Sequence, residues 1–185
     1  MTDPTALDAE RRMLLQTLAD RRRFLIGTAE GLTDDQARQA ATVSDLTIGG
    51  IIKHVAATER SWIDFVLDGP DPSVDFMAME KIDWNDPSTI PAWVLERQDE
   101  FTLRADQTLS EILAGYAEVA ARTEQVVTEL ADLGVSHQLP AAPWDPDPGQ
   151  RSAREVLAHL IGETAQHAGH ADIIREAIDG KKSMA

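Results

Sequence analysis

Residues 159–170 read HLIGETAQHAGH and set His159, Glu163, His167 and His170 at steps of four, four and three. Three of the five histidines in the chain fall in this short stretch. At about 100° per helical residue, with Glu163 at zero, His167 falls at about +40°, His170 at about −20° and His159 at about −40°. Val156 and Ile174 lie at about +20°, and Leu160 and Ile178 at about +60°, so the polar stripe is expected inside the apolar arc, facing a bundle interior.

A carboxylate among aliphatic side chains costs free energy unless it is paired, hydrogen-bonded or bound to a cation. A neutral imidazole can give one ring nitrogen to a metal while the other donates outward. Glu and His at i, i+4 therefore offer one ion two ligands from a single helix face. A third ligand has to come from elsewhere. His54, at the edge of the apolar arc of an upstream helix, is the first candidate, and His137, in a loop, is the weaker one. Spacing alone also admits hydrogen-bonded His–Glu pairs in a hydrated cavity, with no metal at all.

Four long helical patterns are expected to position these residues. The first covers about Thr5 to Thr28, with Leu7, Leu14, Leu18 and Leu25 on one face, and is stopped by Gly31. The basic run RRMLLQTLADRRR reads as its solvated side. A short capped turn or helix follows at TDDQARQA, with Thr33 accepting from the amide near Gln36. The second covers about Thr47 to Leu67, with Ile48, Ile51, Val55, Trp62, Phe65 and Val66 on a broad arc. Gly49 and Gly50 weaken its first turn by about 1 kcal/mol each relative to Ala, which suggests close approach of another backbone or a ligand. The third covers about Leu109 to Leu130 behind a Thr108–Glu111 capping box, with Ile112, Tyr116, Val119, Thr123, Val126 and Leu130 along its seam. The fourth covers about Ala153 to Asp179, between the Ser152–Glu155 box and Gly180.

About forty residues separate the second and third helices, with a short helix expected at PAWVLERQDEFT and Pro91 at its first position. The four prolines of LPAAPWDPDPGQR forbid regular structure, and no strands are expected. Four helices with one long crossover between helices 2 and 3 describe an all-α four-helix bundle that is not up-down-up-down throughout.

Composition bounds the function. At 185 residues the chain is expected to form a single domain over 1–185. A formal charge of −15 leaves no broad cationic face, so neither nucleic acid nor an anionic membrane surface is expected as a partner. The chain has no cysteine, which removes thiolate ligands and disulfides. A polar, acidic N-terminus and the lack of a long apolar run point to a soluble cytoplasmic protein. A homodimer is compatible with a bundle of this size.

The segments LTIGGIIKHVAATERSW and VLAHLIGETAQHAGHADIIREAIDG resemble the DinB-like superfamily. The likeness is to its actinobacterial branch, akin to mycothiol-dependent maleylpyruvate isomerase and to mycothiol and bacillithiol S-transferases, and spans Leu7 to Gly180. It implies a four-helix bundle with a long crossover and a divalent metal, zinc or nickel. The ligands it implies are His54, Glu163 and His167, with Glu in place of the third His of the hydrolase-like branch. His170 stands where many relatives have Gln, and is a fourth ligand or an outer hydrogen-bonding group; His159 is an outer group or core. No counterpart of the isomerase's additional C-terminal domain follows, so residues that hold the thiol there are not carried over.

Three function classes follow from that resemblance. The leading one is an S-transferase-like enzyme that joins a low-molecular-weight thiol such as mycothiol to a small-molecule electrophile. The others are a metal-dependent hydrolase using bound water, and a non-catalytic metal- or ligand-binding stress protein. Trp62, Trp84 and Trp144 are candidates for substrate binding, and with Trp93 the loop tryptophans are expected to roof the pocket or cap the bundle. Arg122, Arg154 and Arg175 are candidates for a substrate carboxylate or for Glu163, although each also reads as a surface ion pair.

Overall fold

Each long helix starts where a side chain can satisfy its first free amides. In the computed structural model, which describes residues 8–183, Asp8 accepts from the Arg11 amide at the head of α1 (Ala9–Gly27). The expected start at Thr5 and Leu7 lie outside the described residues. Gly31 then takes a φ of 76°, and Thr33 and Gln36 form the capping box of the single-turn α2 (Asp34–Ala37). Thr47 caps α3 (Ile48–Asp68), which ends at Gly69. The connection that follows carries two 3-10 turns, Phe76–Lys81 and Pro87–Thr89, and α4 (Ala92–Asp99). Pro91 is the N-cap of α4, one position earlier than expected. The Thr108–Glu111 box opens α5 (Leu109–Glu129).

Two strands correct the expectation of none. The strand β1 (Ser136–Gln138) pairs antiparallel with β2 (Gln150–Ser152), His137 opposite Arg151. The four prolines fall in the loop between the strands, where no ladder amide is needed. The Ser152–Glu155 box then opens α6 (Ala153–Asp179), and Gly180 closes it with a φ of 78°.

Helix directions follow from contacts along their lengths. Arg154 meets Glu10 while Arg175 donates to the Thr28 carbonyl, so α1 and α6 run parallel. His54 faces His167 and Trp62 faces His159, so α3 and α6 run antiparallel. Ile48 and Ile51 share a cluster with Leu109 and Tyr116, whereas Ile63 and Val66 share one with Val127, so α3 and α5 run parallel. Around the bundle the order is α1, α6, α3, α5. Parallel α3 and α5 require the long crossover.

The core has two aliphatic tiers. One gathers Leu25, Ile48, Ile52, Val55, Val119 and Ile174; the other gathers Leu14, Leu18, Ile63, Val66, Val127 and Leu157. Between them lies a buried polar belt. Arg22 donates to both carboxylate oxygens of Glu59, at 3.0 and 2.5 Å, and the Thr123 hydroxyl donates to Glu59 at 2.5 Å. Arg22 is thus buried, not on the solvated side of α1. It continues the line of Leu18 and Leu25, as Glu59 continues that of Val55, and each charge needs the other once water is excluded.

A charge left alone in this belt has no solvent to turn to. Glu59→Ala is expected to cost about 3–5 kcal/mol in denaturant unfolding, and a loss below 1 kcal/mol would show that Arg22 escapes to water.

Candidate metal centre

The seam between α3 and α6 brings together three of the predicted site residues, His54, Glu163 and His167. Nε2 of His54 lies 3.6 Å from Oε1 of Glu163, and Nε2 of His167 lies 3.3 Å from the same oxygen. The three donor groups all fall within 4.8 Å of one another. His54 is buried and His167 nearly so, whereas the Glu163 side chain is 24% exposed. The polar stripe of α6 therefore sits at the margin of the buried arc rather than within it. Leu160, Thr164 and Ala171 face the core, which turns Glu163, His159 and His170 toward the seam and leaves them half-buried.

His54 is held from several sides. Phe101 stacks on its ring with centroids 3.8 Å apart, Oε2 of Glu100 lies 3.3 Å from Nδ1, and the Thr58 hydroxyl lies 3.4 Å from Nε2. Glu100 and Phe101 fall inside the expected short helix, but nothing in that segment shows that they reach His54; they follow directly on the end of α4. The one hint was the Gly49–Gly50 pair. A β-carbon at Gly50 would overlap the Phe101 carbonyl, so the close approach is that of the crossover backbone.

The remaining candidates divide. His170 stacks edgewise on His167, 5.5 Å between centroids, outside the three-donor group. His159 packs against Trp62, on whose other contact Arg151 sits 5.0 Å from the ring centre. His137 bonds to the Val66 carbonyl on β1, away from the seam. Trp144 and Trp93 both meet Phe76, joining the crossover to the proline loop, and Trp84 and Trp144 are exposed. Among the described residues these three tryptophans make no ring contact with the site histidines. Arg122 pairs with Asp64 and Arg154 with Glu10 at the surface. Arg175 is not a surface residue: it is buried, binding the carbonyls of Thr28 and Glu30 and the Asp179 carboxylate. None of the three is spent on Glu163.

Two imidazole nitrogens and one carboxylate oxygen make a donor set suited to a borderline divalent cation such as zinc or nickel. Their spacing is close to that of ligands around one ion with bonds of about 2 Å. The profile of mycothiol S-transferases matches residues 13–180. The chain belongs to the mycothiol S-transferase family, a DinB-like family. The crystal structure of a conserved protein from Enterococcus faecalis is similar over 95% of this chain and 100% of that one, with a TM-score of 0.61 and 18% identity. That likeness concerns the fold. No protein of curated function matches.

In this member of the mycothiol S-transferase family two histidines of the α6 stripe, His159 and His167, titrate below the ordinary value. Burial, chiefly, lowers the pKa of His167 below the ordinary 6.5; a charge on His54 adds to this and Glu163 opposes it. Burial lowers His159 as well, again against Glu163. In the metal-free protein the unfolded chain then takes up these protons at a higher pH than the folded one does. Stability is expected to fall as pH drops below about 6.5, and the slope should flatten in His167→Asn. Denaturant unfolding of both proteins across that range would show it, and identical slopes would contradict it.

Proposed function

We propose that the chain catalyses attack of a low-molecular-weight thiol, mycothiol or a close analogue, on an electrophilic carbon. His54, Glu163 and His167 hold the divalent cation, zinc or nickel, that this chemistry needs. The convergence of the three side chains, from helices remote in sequence, in a chain of this family carries the reading.

Three protein ligands leave a coordination place free, as in catalytic zinc sites. A cation there stabilises the thiolate form of a thiol at neutral pH. The chain's own groups supply the rest. Phe101 and the crossover backbone cover one flank of His54, so water reaches the site from the Glu163 side, where a ligand can also enter. His159 is neutral at physiological pH, since burial lowers its pKa. Lying one helical turn from Glu163, it can take the proton that the thiol gives up on becoming thiolate; the sulfur lone pair then forms the new bond to carbon as the electrophile's leaving group departs with the electron pair of the bond it breaks. Trp62 and Arg151 continue the seam beyond His159 and offer an aromatic face and a cation to the second substrate.

Among the described residues no helix is long and apolar enough to cross a membrane. A cytoplasmic location, where small thiols stay reduced, fits the proposed co-substrate.

Elemental analysis is expected to find one metal per chain in the wild type and none in His54→Ala or His167→Ala. With a chromogenic electrophile, the metal-loaded protein should consume mycothiol at a rate that chelator and either substitution return to background. No turnover across a broad thiol panel would sink the proposal. Chelator-sensitive cleavage of an ester or amide without thiol would replace it with hydrolysis.

A further inference from the structure

The last residues of the crossover are clamped onto the start of α3. Gly49 and Gly50 make the room: a β-carbon on the first would crowd Leu103, and one on the second the Phe101 carbonyl. Lys53 donates to the Asp99 carboxylate at 2.7 Å, to the carbonyls of Asp99 and Thr102 at 2.9 and 3.0 Å, and to Gln107 at 3.2 Å. Arg104 holds the Asp99 carboxylate as well, at 2.9 Å, and Arg38 donates to the carbonyls of Arg104 and Gln107. This much fixation delivers two side chains to His54: the Phe101 ring on its face, and Glu100 at its Nδ1, 3.3 Å away.

On the reading that His54, Glu163 and His167 hold a cation, we infer that Glu100 is a positioning residue for His54. Carboxylates stand at both ring nitrogens and only accept, but Glu100 is within hydrogen-bond reach of Nδ1 at 3.3 Å whereas Glu163 is beyond it at 3.6 Å from Nε2, where the Thr58 hydroxyl can donate; the single proton of the neutral imidazole is therefore drawn to Nδ1, facing Glu100. Nε2 is then left with its lone pair turned toward Glu163 and His167. The opposite tautomer would set two lone pairs against each other at Nδ1 and point a proton where the cation belongs. The negative charge of Glu100 also makes Nε2 a stronger donor. His167 has no such support. Its Nδ1 is buried and meets no hydrogen-bonding group, so that ring is aimed only by packing and by the Glu163 oxygen at Nε2. His54 is the anchored ligand, and the crossover anchors it.

The test uses the full chain, stripped of metal, with zinc as the probe. In competition with a chromophoric chelator, Glu100→Ala is expected to bind zinc about 10–100-fold more weakly. Glu100→Gln should fall between, because its amide oxygen still accepts the proton but carries no charge. Ring-nitrogen NMR shifts of His54 in the metal-free proteins provide a readout that a structural role would not move. They should report the Nδ1–H tautomer in the wild type and a mixture in Glu100→Ala. The Glu100 side chain is 25% exposed, so melting temperatures of the metal-free variants should match the wild type. If Glu100→Ala keeps both the affinity and the tautomer while His54→Ala loses zinc, the role of Glu100 is overturned and the metal centre stands. If the wild type takes up no zinc, the metal centre itself falls, and this inference with it.

Discussion

Helix α3 is buried on nearly every side, and that constraint sets the positions of most other parts. Glu59 points inward to Arg22 and Thr123. Turning α3 by one residue, about 100°, would carry that carboxylate into an aliphatic tier and leave Arg22 alone, at a cost of several kcal/mol. The inward pair therefore selects one rotation of the helix. His54 lies five residues before Glu59, about 140° around and about 7.5 Å along the axis. Once Glu59 is placed, His54 can only face the seam with α6 and the crossover above it. An interaction with no evident role in chemistry thus determines where the chemistry can occur.

The seam is neither core nor surface, and that intermediate setting suits a ligand set. Full burial would make the Glu163 carboxylate too costly in the absence of a cation; full exposure would let protons compete for the imidazoles at neutral pH. The observed compromise lowers the pKa of His167 through burial while Glu163 keeps contact with solvent. The chain's net charge of −15 favours accumulation of cations at its surface and disfavours anions. An anionic thiolate would then depend on local positive charge at the seam, which the acidic remainder of the molecule does not provide.

Sequence patterns revealed what is local. Capping boxes at Thr108 and Ser152, glycine stops at Gly31 and Gly180, and the three-four alternation of α5 depend on neighbours within one or two turns. Glu163 and His167 were nameable for a related reason, since they lie on a periodic stretch whose face can be counted; that left His54 and His137 as candidates for the third donor, and the full set is what the resemblance to the DinB-like superfamily implies. Arg22 and Glu59 lie on the same countable faces and are buried, but a charged residue by itself signals solvent, and only the partner on another helix makes its burial tolerable. The buried arc of α6 is centred on Leu160, Thr164 and Ala171 rather than on Glu163, because neighbours on other helices decide which part of an apolar arc is central. Glu100 and Phe101 lie in a segment whose helix was legible, but their contact with His54 was not. Their place depends on where a forty-residue connection lands, and only two glycines on the receiving helix recorded that something would.

Fold and site impose very different demands on the sequence. A protein only 18% identical shares the fold over nearly the whole chain, so most positions here can change provided that apolar periodicity and caps persist. Tiers built from Leu, Ile and Val tolerate exchange when volume is kept. The seam does not: two nitrogens and an oxygen within 4.8 Å depend on particular residue types at three places. Likeness of fold alone therefore says little about activity, whereas a family match spanning residues 13–180 covers both helices that contribute donors and the crossover between them. It is this joint coverage, with the donors found together in space, that links the architecture to thiol chemistry.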